Sequence, residues 1–175
     1  MERRSKVTSD QLHQMAEHVQ YEIDMFRKCF KEWRALEEGS ANWNSALENA
    51  LLHFRVLREF FCSQQPKWPD DVIAAQYVAP AGWRAPVDPI LDETKEDVDK
   101  RLAHLTLRRL KAVTAWKRGE MEAAVERLIK FFKNSLQHPK SEWFSRLEVN
   151  RSSTGIIVGD ISPGTQSVRI VKVSD

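Results

Sequence analysis

Cysteines, glycines and long apolar runs are all scarce in this chain of 175 residues, and each shortage excludes a class of protein. The two cysteines, Cys29 and Cys62, lie far apart without CxxC or Cys/His spacing, which argues against a disulfide scaffold and a cysteine-ligated metal. Six glycines and seven prolines are too few for a loop-rich β protein or a disordered chain. Because no stretch approaches the ~18 apolar residues that cross a bilayer, we expect a cytoplasmic protein without a membrane partner.

The formal net charge is only +2, so the charge of the whole molecule does not indicate binding to nucleic acid or to an anionic membrane. The sequence also contains no glycine-rich phosphate loop, no metal-spaced cluster of His, Cys and Asp, and no nucleophile elbow. These absences predict neither a cofactor nor a metal. Any binding chemistry must come from a local cluster of side chains.

Four stretches repeat apolar residues at alternating steps of four and three, which is the spacing of one face of an α-helix. They predict helices over about 10–38, 41–61, 89–116 and 120–137. The short linker after the first helix favours an antiparallel hairpin, and Gly119 indicates a break before the fourth helix. The predicted fold is all-α, an up-and-down bundle of four main helices covering residues 8–148.

The proline-rich segment between the second and third helices predicts a crossover, with one short helix beginning at Asp70 and Asp71. Asp88 and Pro89 have the residue types that cap and open a helix, so the third helix is expected to begin there. Residues 149–175 are rich in Ser, Thr and Gly and lack a large apolar face. They predict a flexible C-terminal tail, with a docked β-hairpin around Pro163 and Gly164 as the alternative.

One polar stripe follows the apolar face of the predicted third helix and contains Asp97, Arg101, His104 and Arg108. A histidine between arginines, with a carboxylate one turn away, can perform acid–base chemistry on a phosphodiester. The structural interpretation is a helix ion pair between Asp97 and Arg101, with His104 packed at a helix interface. The charged residues of 88–99 are mainly acidic and those of 100–118 are basic. The basic end could contact RNA phosphates, but acids at the start of a helix and bases at its end also suit the helix dipole.

The second helix contributes His53, Arg55 and Arg58 as candidate binding residues. Arg58 falls within the apolar stripe, and a buried arginine needs a carboxylate or several carbonyl partners. We therefore predict that the second and third helices pack together. His53, Arg58 and His104 are expected to border one polar pocket, with Asp97 or Asp99 as the countercharge.

Two segments, ENALLHFRVLREFF and DKRLAHLTLRR, are similar to a group of uncharacterised helical bacterial proteins and more distantly resemble HEPN domains. The likeness covers roughly residues 43–132. It implies a helical bundle that forms homodimers, and in many members a metal-independent ribonuclease whose histidine follows an arginine by a gap of four to six residues. For His104 that arginine would stand at 97–99, where the chain has Asp97, Val98 and Asp99.

The resemblance, without its motif arginine, favours a non-enzymatic, HEPN-like interaction module that self-associates as a homodimer. A partner protein is also compatible with this interpretation. The alternative is an RNA-binding protein or a metal-independent, toxin-type ribonuclease that uses His104 as the catalytic group, with Arg101 and Arg108 stabilising charge.

Overall fold

The computed structural model describes residues 7–78, 82–102 and 115–146, and the helices in these ranges enclose one hydrophobic core. The elements are α1 (Ser9–Ala35), α2 (Ala41–Cys62), a 3-10 turn (Ala74–Gln76), α3 (Pro89–Glu93), α4 (Lys95–Leu102), α5 (Arg118–Ser135) and α6 (Lys140–Trp143). No strand occurs within these ranges, so the predicted all-α class is confirmed. Among the described helices, none combines the length and the apolar character needed to cross a bilayer.

The first two helices form the predicted hairpin, and each begins at a side-chain cap. Thr8 caps α1 through a reciprocal pair of hydrogen bonds with Gln11, and the hydroxyl of Ser40 accepts from the backbone N–H of Trp43 at the start of α2. Gly39 makes the reversal with φ of +84°, a conformation that costs glycine little. The apolar stripe of α1 is buried against α2.

Cross-helix contacts give the direction of each long element. Along α1 and α2, Trp33 lies near Trp43 whereas Glu22 lies near His53, so these helices are antiparallel. In the same way, the guanidinium of Arg27 pairs with Glu126 of α5 at 2.7 Å. The backbone carbonyl of Trp33 accepts a hydrogen bond from the guanidinium of Arg118, at the start of α5. These contacts make α5 antiparallel to α1.

The α3 helix runs antiparallel to α5, because its first turn lies beside the middle of α5 and its end lies beside the start of α5. Arg127 pairs with Asp88, and Lys117 pairs with Glu93 at 2.8 Å. Together with the α1–α2 hairpin, these directions give the up-and-down order that the sequence predicts. The predicted tail, residues 149–175, lies outside the described residues.

The third predicted helix is interrupted at Thr94. Asp88 caps α3 and Pro89 opens it as predicted, but the α3 helix ends at Glu93. At the junction the Ile90 carbonyl accepts from both the Thr94 hydroxyl and the Thr94 backbone N–H, the latter at 3.1 Å. The α4 helix then runs to Leu102, and residues 103–114 lie outside the described ranges.

Two smaller predictions are displaced or wrong. The predicted break before the fourth helix lies at residues 115–117, and Gly119 itself lies inside the first turn of α5. The short helix expected at Asp70 and Asp71 is absent, because a carboxylate oxygen of Asp71 accepts from the backbone N–H of Trp68 at 2.6 Å and stabilises a turn instead. The 3-10 turn follows three residues later.

The crossover is held to the core by aromatic side chains that also satisfy backbone carbonyls. The Tyr77 hydroxyl donates to the Leu12 carbonyl at 2.9 Å, and the Trp83 indole N–H donates to the Phe61 carbonyl at 2.7 Å. Phe132 of α5 lies at the centre of this cluster. Its ring centroid is within 6.0 Å of five others, those of Phe60, Phe61, Tyr77, Trp83 and Phe144.

Candidate functional site: a cleft beside α2 and the exposed face of α2

A broad cleft of about 1110 Å³ lies along the C-terminal half of α2 and is bounded by parts of α1, α3, α4 and the start of the crossover. Its volume slightly exceeds the range typical of small-molecule sites, ~300–1000 Å³. The side chains that matter for its chemistry are Arg55, Arg58, Cys62, Trp68, Lys95 and Asp99.

The charged centre of the cleft is a cluster of two arginines and one aspartate. Arg58 is buried, with its side chain only 5% exposed, and its Nη2 lies 3.6 Å from Asp99 Oδ1 on α4. Arg55 Nε approaches the same oxygen at 3.1 Å. The two predicted helices therefore do pack together, and Asp99 is the countercharge.

The hydrogen bonding of this cluster is incomplete. Neither Nη1 nor Nη2 of Arg58 has a hydrogen-bond partner, and Asp99 Oδ1 accepts no hydrogen bond despite its two neighbours. A guanidinium offers five N–H donors, and burying its charge without bonded acceptors is costly. Arg55 also faces Glu59 at 3.6 Å, so the two guanidiniums are matched by two carboxylates, but Asp99 is the one that approaches Arg58.

His53 does not join this cluster. It lies five residues before Arg58, which places the two side chains roughly 140° apart around the helix. Its Nδ1 is 2.8 Å from Glu22 Oε2 of α1, and the His53 ring also meets Tyr21 edge-on at 6.3 Å. The prediction that His53 and Arg58 border one pocket is therefore not met, because His53 is absent from the lining of the cleft.

The other predicted site residues divide into two groups. Asp97 is half-buried on α4, but it does not line the cleft, which Asp99 enters instead. Arg101 lies near the end of α4 with a side chain outside the described part of the structure. His104 and Arg108 fall wholly outside the described ranges.

Cys62, Trp68 and Lys95 line the cleft but were not predicted as site residues. Burial raises the pKa of the Cys62 thiol despite the opposing charge of Arg58, so the thiol is protonated at neutral pH and is not an activated nucleophile. The side chain of Trp68 is exposed, and the Asp71 turn places it at the mouth of the cleft. Within the described ranges, no group of three or more His, Cys, Asp or Glu could hold a metal ion.

A second surface, the solvent face of α2, is unusually apolar. Leu52 is 47% exposed and Val56, one turn later, is 38% exposed, while Tyr21 of α1 adds a third exposed apolar side chain beside His53. The charged residues among the exposed positions of α2 are only Glu48 and Glu59. By contrast, the exposed positions of α1 include seven charged residues, namely Asp10, Glu17, Asp24, Lys28, Lys31, Glu32 and Arg34.

Comparison with other proteins does not add a relative from which function could be transferred. No family model, no curated protein and no solved structure matches the chain. The geometry of the cleft and of the α2 face is therefore the basis on which function is inferred.

Proposed function

We propose that the chain is a cytoplasmic, non-enzymatic helical interaction module of the HEPN-like kind, which self-associates as a homodimer through the solvent face of α2. The observation that carries the proposal is the pair Leu52 and Val56, both exposed and one helical turn apart. Depletion of charge around exposed apolar side chains distinguishes the core of a protein interface from ordinary surface.

A second copy of the same chain suits this face because the face is self-complementary. In a two-fold dimer each patch meets itself, so residues near the axis pair reciprocally. If two α2 helices cross antiparallel, Leu52 packs on the partner's Val56 and the reverse contact forms across the axis. Glu59 then lies opposite the partner's Asn49, whose amide can donate to the carboxylate, and no like charges are opposed.

The homodimer is tested by placing a charge in the middle of this face. Leu52→Glu and Val56→Glu should each shift the chain from dimer to monomer, because two carboxylates would be forced together at the axis without water. Light scattering after size-exclusion chromatography gives the mass of each variant.

Val87→Glu is the matched control, since Val87 is 92% exposed, equally apolar and remote from α2 in sequence. The control should keep the wild-type mass. A dimer that persists in Leu52→Glu and Val56→Glu would contradict the proposal, as would a dimer lost only in Val87→Glu.

A further inference from the structure

Arg58 presents a problem that self-association through Leu52 does not solve. Its side chain is only 5% exposed, yet both terminal nitrogens lack hydrogen-bond acceptors. Buried charges in proteins are normally both paired and hydrogen-bonded, and an exception calls for an explanation such as a bound ion or ligand. The missing acceptor is the first sign that a ligand completes this centre.

The carboxylate that approaches Arg58 is also shared with a second arginine. Asp99 Oδ1 is shared with Arg55, which takes the nearer position at 3.1 Å against 3.6 Å for Arg58. Of the other carboxylates along the cleft, Glu22 is engaged with His53, Asp71 with the Trp68 turn, and Glu59 faces Arg55 at 3.6 Å. Asp92 is exposed at the rim.

Lys95 brings a further cation to the same cleft. Its side chain is exposed, and it forms no ion pair within the part of the chain that the structure describes. An ammonium at the mouth and a guanidinium at the floor provide an entry point and an anchor for one oxyanion, since Arg binds carboxylates and phosphates through paired N–H donors.

The wall of the cleft indicates what the oxyanion is attached to. Trp68, which is 62% exposed, lines the cleft together with Val56 and Val72. An exposed indole offers a flat apolar surface on which an aromatic ring can stack. A ligand with one ring and one oxyanion would use both parts of the cleft.

The geometry points to a binding site for a small aromatic oxyanion, a carboxylate or a phosphate ester, held by Arg58 and Lys95 with its ring against Trp68. The site shares Val56 with the α2 dimer contact, but Arg58, Lys95 and Trp68, which would hold the ligand, are not part of that contact. Asp99 is 31% exposed and makes no hydrogen bond to either arginine. In the proposed complex its side chain turns toward Arg55, which uncovers the buried Nη1 and Nη2 of Arg58 for the ligand oxygens.

The test uses three probes that share one ring: benzoate, phenyl phosphate and the neutral benzamide. Each is titrated into the full chain by heteronuclear NMR, and the indole N–H of Trp68, assigned with Trp68→Phe, reports binding at the wall. Benzoate or phenyl phosphate should bind at millimolar concentration, whereas benzamide should bind much more weakly. The anion that binds more tightly shows whether the cleft prefers a carboxylate or a phosphate ester.

Two nearly isosteric variants should change the affinity in opposite directions. Arg58→Met should weaken binding by roughly tenfold or more, the effect expected from losing a charge-assisted hydrogen bond. Asp99→Asn removes the competing carboxylate and should strengthen binding several-fold. Arg127→Met, which alters an exposed arginine paired with Asp88, should leave the affinity unchanged.

Failure of both anionic probes to bind the wild-type chain would overturn the inference, as would equal affinities in Arg58→Met and wild type. If Arg58→Met does not fold, Lys95→Met decides the question, because Lys95 is exposed and its loss leaves the core intact. Weaker binding in Lys95→Met supports the site, and unchanged binding contradicts it. If the wild-type chain is monomeric in solution but still binds the probes, the proposed homodimer is refuted and the ligand site is not.

Discussion

His53 Nδ1 and Glu22 Oε2 lie 2.8 Å apart and join α2 to α1 across the hairpin. The imidazole side chain is 9% exposed and the carboxylate 25%, so water replaces this contact poorly if either partner is lost. The contact gives His53 a structural role, because its ring faces α1 rather than the charged cleft beside α4.

Glu22→Ala should lower the free energy of unfolding by about 1–3 kcal/mol, since it leaves the buried His53 nitrogen without its partner. Urea denaturation followed by circular dichroism measures the change. Glu17→Ala is the control, because Glu17 is 80% exposed and lies 3.9 Å from an equally exposed Arg146. Equal losses in the two variants would show that the His53 contact has no special value.

Phe132→Ala should cost about 3–5 kcal/mol, the range for deleting a fully buried aromatic side chain. Phe132 is 0% exposed at the centre of the aromatic cluster, whereas its neighbour Phe131 is 42% exposed. Phe131→Ala should therefore cost much less, although Phe131 also touches Trp83. Comparable destabilisation by the two substitutions would contradict the position of Phe132 at the centre of the aromatic cluster.

Sequence periodicity identifies the long helices because a buried stripe must repeat with the helical turn, as Leu12, Ala16 and Val19 do in α1. It does not find the junction at Thr94 or the turn at Asp71, since both depend on one side chain bonding to nearby backbone. The spacing of apolar residues carries no information about such local hydrogen bonds.

In the candidate site, too, some contacts can be predicted from the sequence and others cannot. A buried Arg58 on an apolar stripe requires a carboxylate, and Asp99 was one of the two predicted. The partner of His53 could not be predicted, because Glu22 is distant in sequence and its approach depends on the rotation of α1 against α2. Exposure of Leu52 likewise depends on which elements cover α2, and that is a tertiary property.

The chain should not cleave RNA in the presence of a chelator, because Asp97, Val98 and Asp99 occupy the positions of the arginine that precedes the histidine in HEPN ribonucleases. Incubation of purified protein with a labelled RNA measures this directly. His104→Ala serves as the matched variant, since any background cleavage should be the same in both proteins. Strong cleavage that His104→Ala abolishes would instead establish the ribonuclease alternative with Arg101 and Arg108.

Cys62 should react slowly with iodoacetamide at neutral pH. Burial raises its pKa above the ordinary value of 9.0, so the reactive thiolate is a smaller fraction than in a free cysteine, and the rate should rise as pH increases through and beyond that value. Cys62→Ser isolates Cys29, which is 3% exposed and should react more slowly still. A Cys62 rate above that of a free thiol would contradict the protonated state assigned to it.

We propose that the apolar face of α2 joins two copies of the chain. The mass of the unmodified protein in solution tests this most directly. Sedimentation equilibrium over a range of concentrations should give a mass that rises toward twice the 20.3 kDa of one chain. A mass of 20.3 kDa at every concentration into the high micromolar range would contradict the claim.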